Sequence, residues 1–271
     1  MNLGFGFVDM RNLIGVNIDE ANDFLENNYS IYRKKLDELR IPKLKDAMRI
    51  FVFVNNYLPD ECFRGFTQEN KIGSGQQGAV FLSCKKDNTE DCNYVCKLVG
   101  LGDENKILHF NNEVNIQRKM FSKYNAAMEI IDAYEIHKVF PVIGQLNVGI
   151  IIMRKAESDL ENYLFKHYLE DNTDIITSQI IYLLDCLKDA KVMHRDLKLD
   201  NILVNTSEGE IKLFLTDFNL SKDFTDPDFR EMRGIANHIG AVPTEYDHTY
   251  DCKSLLNNFK LRFKKYSFSC E

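Results

Sequence analysis

The sequence predicts an α+β protein of two lobes, an antiparallel β-rich N-lobe and a helical C-lobe, preceded by a helical extension. Three observations carry this. Short segments rich in branched and aromatic residues, punctuated by turn residues, bunch between Phe66 and Met153. From Asp159 onward, apolar residues recur at helical spacing. The first 65 residues have a helical periodicity of their own, interrupted by Pro42 and Pro59. The expected domains are therefore residues 1–65, 66–153 and 154–271.

In the extension, Phe24, Leu25, Tyr29, Tyr32, Leu36 and Leu39 share one face of a helix over Asp19–Arg40, with Asp19 or Asn17 placed to cap it. Pro42 separates it from a second, more apolar segment, Leu44–Leu58, and the extension is read as docking on the two lobes. Strands are expected at Phe66–Ile72, Ala79–Lys85 and Asn93–Val99, with turns at Gly73–Gly78 and Lys86–Asp91. Leu108–Tyr124 reads as a charged, periodic helix, and Glu135–Phe140 and Asn147–Met153 as two further strands. Helices over Leu160–Leu169 and Thr177–Ala190 come next. A short β pair, Ile202–Asn205 and Ile211–Thr216, closes around Thr206–Gly209.

Composition excludes several classes. With 271 residues, 44% hydrophobic and 28% charged, the chain is neither collagen-like, disordered nor a small disulfide scaffold. Its 34 Lys and Arg are outnumbered by 41 Asp and Glu, so no nucleic acid partner is expected, because phosphate binding needs concentrated positive charge. Lys260, Arg262, Lys264 and Lys265 read as a solvated basic face or tail. No uncharged stretch approaches the roughly 18 residues of a membrane span, and the first residues lack a secretory pattern. Asn2 stands where a lipidated chain needs glycine, so no N-myristoylation is expected. The seven cysteines show no Cys-x-x-Cys pair, so reduced thiols in a cytoplasmic or nuclear compartment are expected.

The chemistry begins at Gly73, Ser74, Gly75, Gln76, Gln77 and Gly78, between two expected strands. Glycines at this spacing let a backbone hairpin approach phosphates without interference from Cβ atoms. The same spacing fits a Rossmann turn or a plain hairpin, although a strand after the last glycine disfavours the Rossmann reading. Lys97 stands on an apolar strand. Alone it reads as a solvent-facing residue; beside the glycine loop it reads as an anion ligand, with Glu113 in the next helix its natural partner. The most specific run is His194-Arg195-Asp196-Leu197-Lys198-Leu199-Asp200-Asn201, followed by Thr216-Asp217-Phe218. It places a carboxylate base, a cation and two metal ligands around one β hairpin, the set that phosphoryl transfer requires.

From about Phe66 to Glu245, these four ordered motifs resemble the eukaryotic-type protein kinase family. The resemblance implies the two-lobed kinase fold with ATP bound in its cleft, Mg2+ as the metal and a protein hydroxyl as acceptor. It assigns Ile72 and the backbone of Ser74–Gln77 to the nucleotide and its phosphates, and Lys97, held by Glu113, to the α and β phosphates. Asp196 is the base, Lys198 steadies the γ-phosphate, and Asn201 and Asp217 hold Mg2+. Met153 resembles the gatekeeper and Arg154–Ala156 the adenine-facing backbone, while Val80, Val95 and Leu203 match the residues that sandwich adenine. Lys198 resembles the Ser/Thr class. Arg195 resembles kinases whose activation loop is organised by a phosphate, with Ser221 and Thr225 the nearest acceptors.

The chain departs from the family at three places. Asn219 stands where the family has glycine, and Asn is the next most tolerant residue of left-handed backbone. Gln117 stands where an apolar spine residue is usual, so its amide needs partners, or Ile116 or Met120 must fill the space. After Gly240–Glu245, Asp251 is read as opening the central C-lobe helix, which leaves a shortened C-lobe. Either the N-terminal extension packs where the family's further helices would be, or, the favoured reading, this is a trimmed kinase of the kind large DNA viruses encode. There are two alternatives to a Ser/Thr kinase. One is a catalytically weak, kinase-like (pseudokinase) binding module that captures or mimics another kinase; the other is a small-molecule phosphotransferase sharing the fold.

Overall fold

The computed structural model describes residues 71–74, 78–84, 92–140, 144–169, 171–207, 209–227, 236–237, 240–241, 243 and 245–270. The expected helical extension and the Lys86–Asp91 turn lie outside the described residues. The chain divides into two units, one within residues 1–100 and 134–150, the other within 101–133 and 151–271.

In the first unit, β1 (Lys71–Ser74), β2 (Gly78–Ser83) and β3 (Tyr94–Gly100) pair antiparallel in succession. With β4 (Ile130–Phe140) and β5 (Gly144–Arg154) they make a five-stranded sheet of order β1-β2-β3-β5-β4. The last two strands are longer than their periodicity suggested.

Gly78 is required by this sheet. A Cβ built there would stand 1.9 Å from the backbone carbonyl oxygen of Leu98 in β3. At Gly73 the nearest atom would be Val80 Cβ at 3.7 Å, an ordinary contact. Gly78→Ala should therefore cost about 1–3 kcal/mol, as overpacking does, while Gly73→Ala stays near neutral. Urea unfolding of the two variants checks this, and equal midpoints would mean that the β2–β3 pairing relaxes freely.

The second unit opens with helix α1 (Glu104–Tyr124). The Asp103 carboxylate accepts the Lys106 N–H at its start, and Asn125 in left-handed backbone closes it. β6 (Ser158–Asp159), β8 (Ile202–Ser207) and β9 (Glu210–Leu215) form a sheet of order β6-β8-β9. Gly209, with φ of 84°, turns β8 into β9. Helix α2 (Leu160–Lys166) is capped by Asp159, and α3 (Thr173–Ala190) presents Ile176, Ile180, Leu183 and Leu187 to the core at helical spacing. β7 (Val192–Met193) pairs antiparallel with β10 (Lys222–Asp223), and β11 (Ala236–Asn237) with β12 (Gly240–Ala241). Helix α4 (Tyr250–Arg262) begins one residue before Asp251, as expected, and the buried Phe263 and Tyr266 hold the segment after it on the core.

The cysteines depart from expectation. Between described residues, the disulfides Cys84–Cys92 and Cys252–Cys270 replace the reduced thiols inferred from scattered spacing. The β2–β3 hairpin sets Ser83 opposite Tyr94, which brings the flanking Cys84 and Cys92 together. Cys270 reaches Cys252 because the residues after α4 fold back on that helix. Pairing is a product of chain reversal, which spacing does not encode. The reducing compartment thus loses the observation that supported it. Among the described residues, no helix is long and apolar enough to cross a membrane.

Candidate active site

The strand register assembles one face of the first unit. Val80 lies opposite Lys97 and Leu82 opposite Val95. Side chains alternate along a strand, so Val80, Val95 and Lys97 share a face, and Cys96 points to the other. Lys97 is buried, at 8% exposure, as is Val95. Ile72 is exposed. Gly75, Gln76 and Gln77, at the tip of the glycine loop, lie outside the described residues, and of Ser74 and Gly73 only the strand placement and the room at Gly73 bear on the loop.

The second unit builds a loop from residue 194 to residue 201. Asp251, buried in the first turn of α4, accepts the backbone N–H of His194 at 2.7 Å and of Arg195 at 2.8 Å. Burial pushes its carboxyl above the ordinary range, against the pull of His194 and these two N–H groups. His194 Nε2 lies 2.9 Å from the Thr216 carbonyl, and its ring packs against Phe218. Arg195 takes left-handed backbone, φ 66°, which turns the chain into Asp196. Asn201 Nδ2 donates to the Asp196 carbonyl at 2.8 Å and to its carboxylate at 3.1 Å, and Lys198 Nζ stands 3.6 Å from the same carboxylate.

Thr216 N–H donates to the Asn201 carbonyl, joining this loop to the one that carries Asp217. Asp217, not Asn219, holds the left-handed backbone, at φ 63°. Asn219 lies in a 3-10 turn over Phe218–Leu220. Its Nδ2 donates to Asp217 Oδ1 at 2.9 Å, and its carbonyl accepts from His109 Nδ1 on α1 at 2.8 Å. Asn219 thus serves through its side chain, and tolerance of left-handed backbone is not what the position uses.

Gln117 finds partners for its amide nitrogen only, and its buried Oε1 has no hydrogen-bond partner among the described residues. Fully buried, its Nε2 donates to the Met128 carbonyl at 2.9 Å and approaches Met153 Sδ at 3.2 Å, while Ile116 and Met120 are buried beside it. Arg154 donates its N–H to the Glu129 carbonyl and pairs with the Glu129 carboxylate, and Leu203 is half-buried in β8 opposite Phe214.

The activation-loop reading needs correction at Ser221. That hydroxyl is fully buried and donates to the His194 carbonyl, so it is not exposed for phosphorylation. Thr225 is exposed, and its hydroxyl lies between Asp223 at 2.6 Å and Lys119 at 3.0 Å. Lys119 on α1 also donates to Asp223 at 2.6 Å. Burial pushes the Asp223 carboxyl up, but the hydrogen bonds from Lys119 and Thr225 outweigh it and hold the group below the ordinary range. Arg195, which the resemblance gives to a phosphate, donates to the Pro243 carbonyl and stands 5.9 Å over the Phe224 ring, whose centroid lies 4.7 Å from Lys222 Nζ.

Comparison with known families returns a match described as Protein kinase domain, over residues 66–240. The chain belongs to the protein kinase family. A probable serine/threonine-protein kinase of Dictyostelium discoideum is 31% identical over 251 residues, covering 87% of this chain and 50% of its own. The meiosis-specific serine/threonine-protein kinase of Saccharomyces cerevisiae is 31% identical over 165 residues, 56% of this chain and 30% of its own. Calcium-dependent protein kinase 7 of Oryza sativa subsp. japonica is 25% identical over 226 residues, 81% of this chain and 38% of its own. This kinase chain spans half or less of the length of these relatives. All three are cellular proteins and lend no support to a viral source.

Of the residues singled out in the sequence, the kinase brings Asp196, Lys198 and Asn201 together directly and ties Asp217 to them through Thr216. Sequence reasoning missed the anchoring role of Asp251, the grip of His109 on Asn219 and the Lys119 network. For Asp251, an acid in the first turn of a helix was the one available signal, and it read equally well as an ordinary helix start.

Proposed function

We propose that this chain is an ATP- and Mg2+-dependent serine/threonine protein kinase domain. The observation that carries the reading is the single loop in which Asp196 meets both Lys198 and Asn201 while Asp251 pins its backbone from behind. A base held beside a cation and an amide, on a buried anchor, is suited to chemistry made of positioning and charge neutralisation.

Asp196 accepts the proton of a substrate hydroxyl as that oxygen attacks the γ-phosphorus of ATP. The bond to the β–γ bridging oxygen breaks and ADP leaves. Lys198, already paired with Asp196, steadies the transferring phosphate. Asn201 and Asp217 offer an amide and a carboxylate oxygen, a hard donor set that fits Mg2+, which typically takes one or two protein oxygens and completes its shell with phosphates and water. When bound, Mg2+ neutralises phosphate charge. Lys97 serves the α and β phosphates, with Glu113 the partner that the family resemblance implies, and the backbone from Gly73 to Gly78, including Gly75, Gln76 and Gln77, covers them. Ile72, Val80, Val95 and Leu203 contact adenine, with Met153 as gatekeeper. Because the Arg154 N–H is taken by Glu129, any adenine contact at Arg154 falls to its carbonyl, and Ala156 supplies further backbone.

The test is transfer from γ-32P-labelled ATP, with Mg2+, to the chain itself and to basic and acidic test proteins. Label on serine or threonine is the expected result, and label on tyrosine overturns the class. No transfer, with ATP still raising the melting temperature, favours the kinase-like binding module.

A further inference from the structure

Glycine at position 219 would have no side chain; this chain has a carboxamide there, with specific partners. Its Nδ2 donates to Asp217 Oδ1 at 2.9 Å. The residue is 9% exposed, so that charge-assisted bond is shielded from water. Its carbonyl is held by His109 Nδ1, which must carry the proton because a carbonyl only accepts, so α1 fixes the residue from a second side. The preceding residue, Phe218, is fully buried. The backbone takes a 3-10 turn and needs no left-handed freedom at 219. Asn219 Oδ1, in contrast, is buried with no hydrogen-bond partner among the described residues. Such an orphaned acceptor is costly, and it sits on the same amide that grips Asp217.

We propose that Asn219 is a positioning residue of the magnesium site. Its Nδ2 selects one orientation of the Asp217 carboxylate, and its Oδ1 is an acceptor kept for a donor that arrives with the hydrated metal–nucleotide complex. The proposal rests on the reading that Asp217 holds Mg2+. Residues that orient a metal ligand set the affinity for the metal more than the affinity for the rest of the ligand. Removing the amide therefore acts on the Mg2+ requirement and spares the metal-free nucleotide.

The experiment is a Mg2+ titration of the full chain at fixed ADP, followed by calorimetry and by thermal shift, for the parent, Asn219→Ala, Asn219→Gly and Asp217→Ala. Asn219→Ala removes the amide without adding backbone freedom, and Asn219→Gly restores the family's residue. Both should raise the Mg2+ midpoint by roughly tenfold, with ADP affinity in EDTA and the ligand-free melting temperature little changed. Asp217→Ala should abolish the Mg2+ dependence. If Asp217→Ala abolishes it and both Asn219 variants titrate like the parent, Asn219 has no part in the metal site and the proposal fails alone. If the parent shows no Mg2+-dependent ADP binding, or Asp217→Ala leaves it intact, the magnesium reading fails and takes this proposal with it.

Discussion

Asp196→Asn should slow phosphoryl transfer by roughly 10²–10⁴-fold, the usual contribution of a positioned general base. The substitution keeps shape and removes the lone pair that takes the proton. It also removes the charge that Lys198 Nζ faces at 3.6 Å, while the Asn201 bond to the backbone carbonyl of residue 196 persists. The side chain at 196 is 28% exposed and contributes little to the core, so folding should be preserved. Initial rates at saturating ATP, beside nucleotide-induced thermal shifts, check both halves. A variant that transfers phosphate at the parent's rate removes Asp196 from the role of base, and one that no longer binds nucleotide shows that the loop itself has collapsed.

Asp251→Ala should produce the largest loss of stability. The parent carboxylate takes two buried backbone N–H groups, at 2.7 and 2.8 Å. Each orphaned donor costs about 1–3 kcal/mol, against a total stability of about 5–15 kcal/mol for a typical domain. The melting temperature should fall by about 5–15 °C for a chain of this size. Transfer activity should fall further than stability, because His194 and Arg195 lead directly into Asp196. Asp251→Asn should be intermediate, since its amide oxygen still accepts one N–H while its NH2 group faces the other. Thermal unfolding of the three chains decides the matter: a melting temperature within a degree of the parent for Asp251→Ala would show that the N–H groups find water or another acceptor.

The chemistry was legible in the sequence where one short segment carries it. Asp196, Lys198 and Asn201 are close in sequence, and a turn of that length leaves them little choice but to be neighbours. Strands β2 and β3 and helices α1 and α3 were legible for a related reason: local periodicity and turn residues act within a few residues of the groups they organise. Helix α1 starts four residues earlier than its apolar pattern because the capping carboxylate of Asp103, not the stripe, sets where it begins.

The sequence by itself determined the ordered set of reacting residues, the alternation that puts Val95 and Lys97 on one face, and hence the family. The tertiary structure alone decided which distant groups hold that set. Asp251 reaches His194 across 57 positions and His109 reaches Asn219 across 110. Cys252 meets Cys270 only because the chain reverses after α4. Asn219 reads in the sequence as a backbone substitute for glycine, and in the fold its side chain is the active part. In each case the partner is selected by burial, which makes an unpaired polar group costly, and burial is a property of the packed chain that no local window of sequence contains.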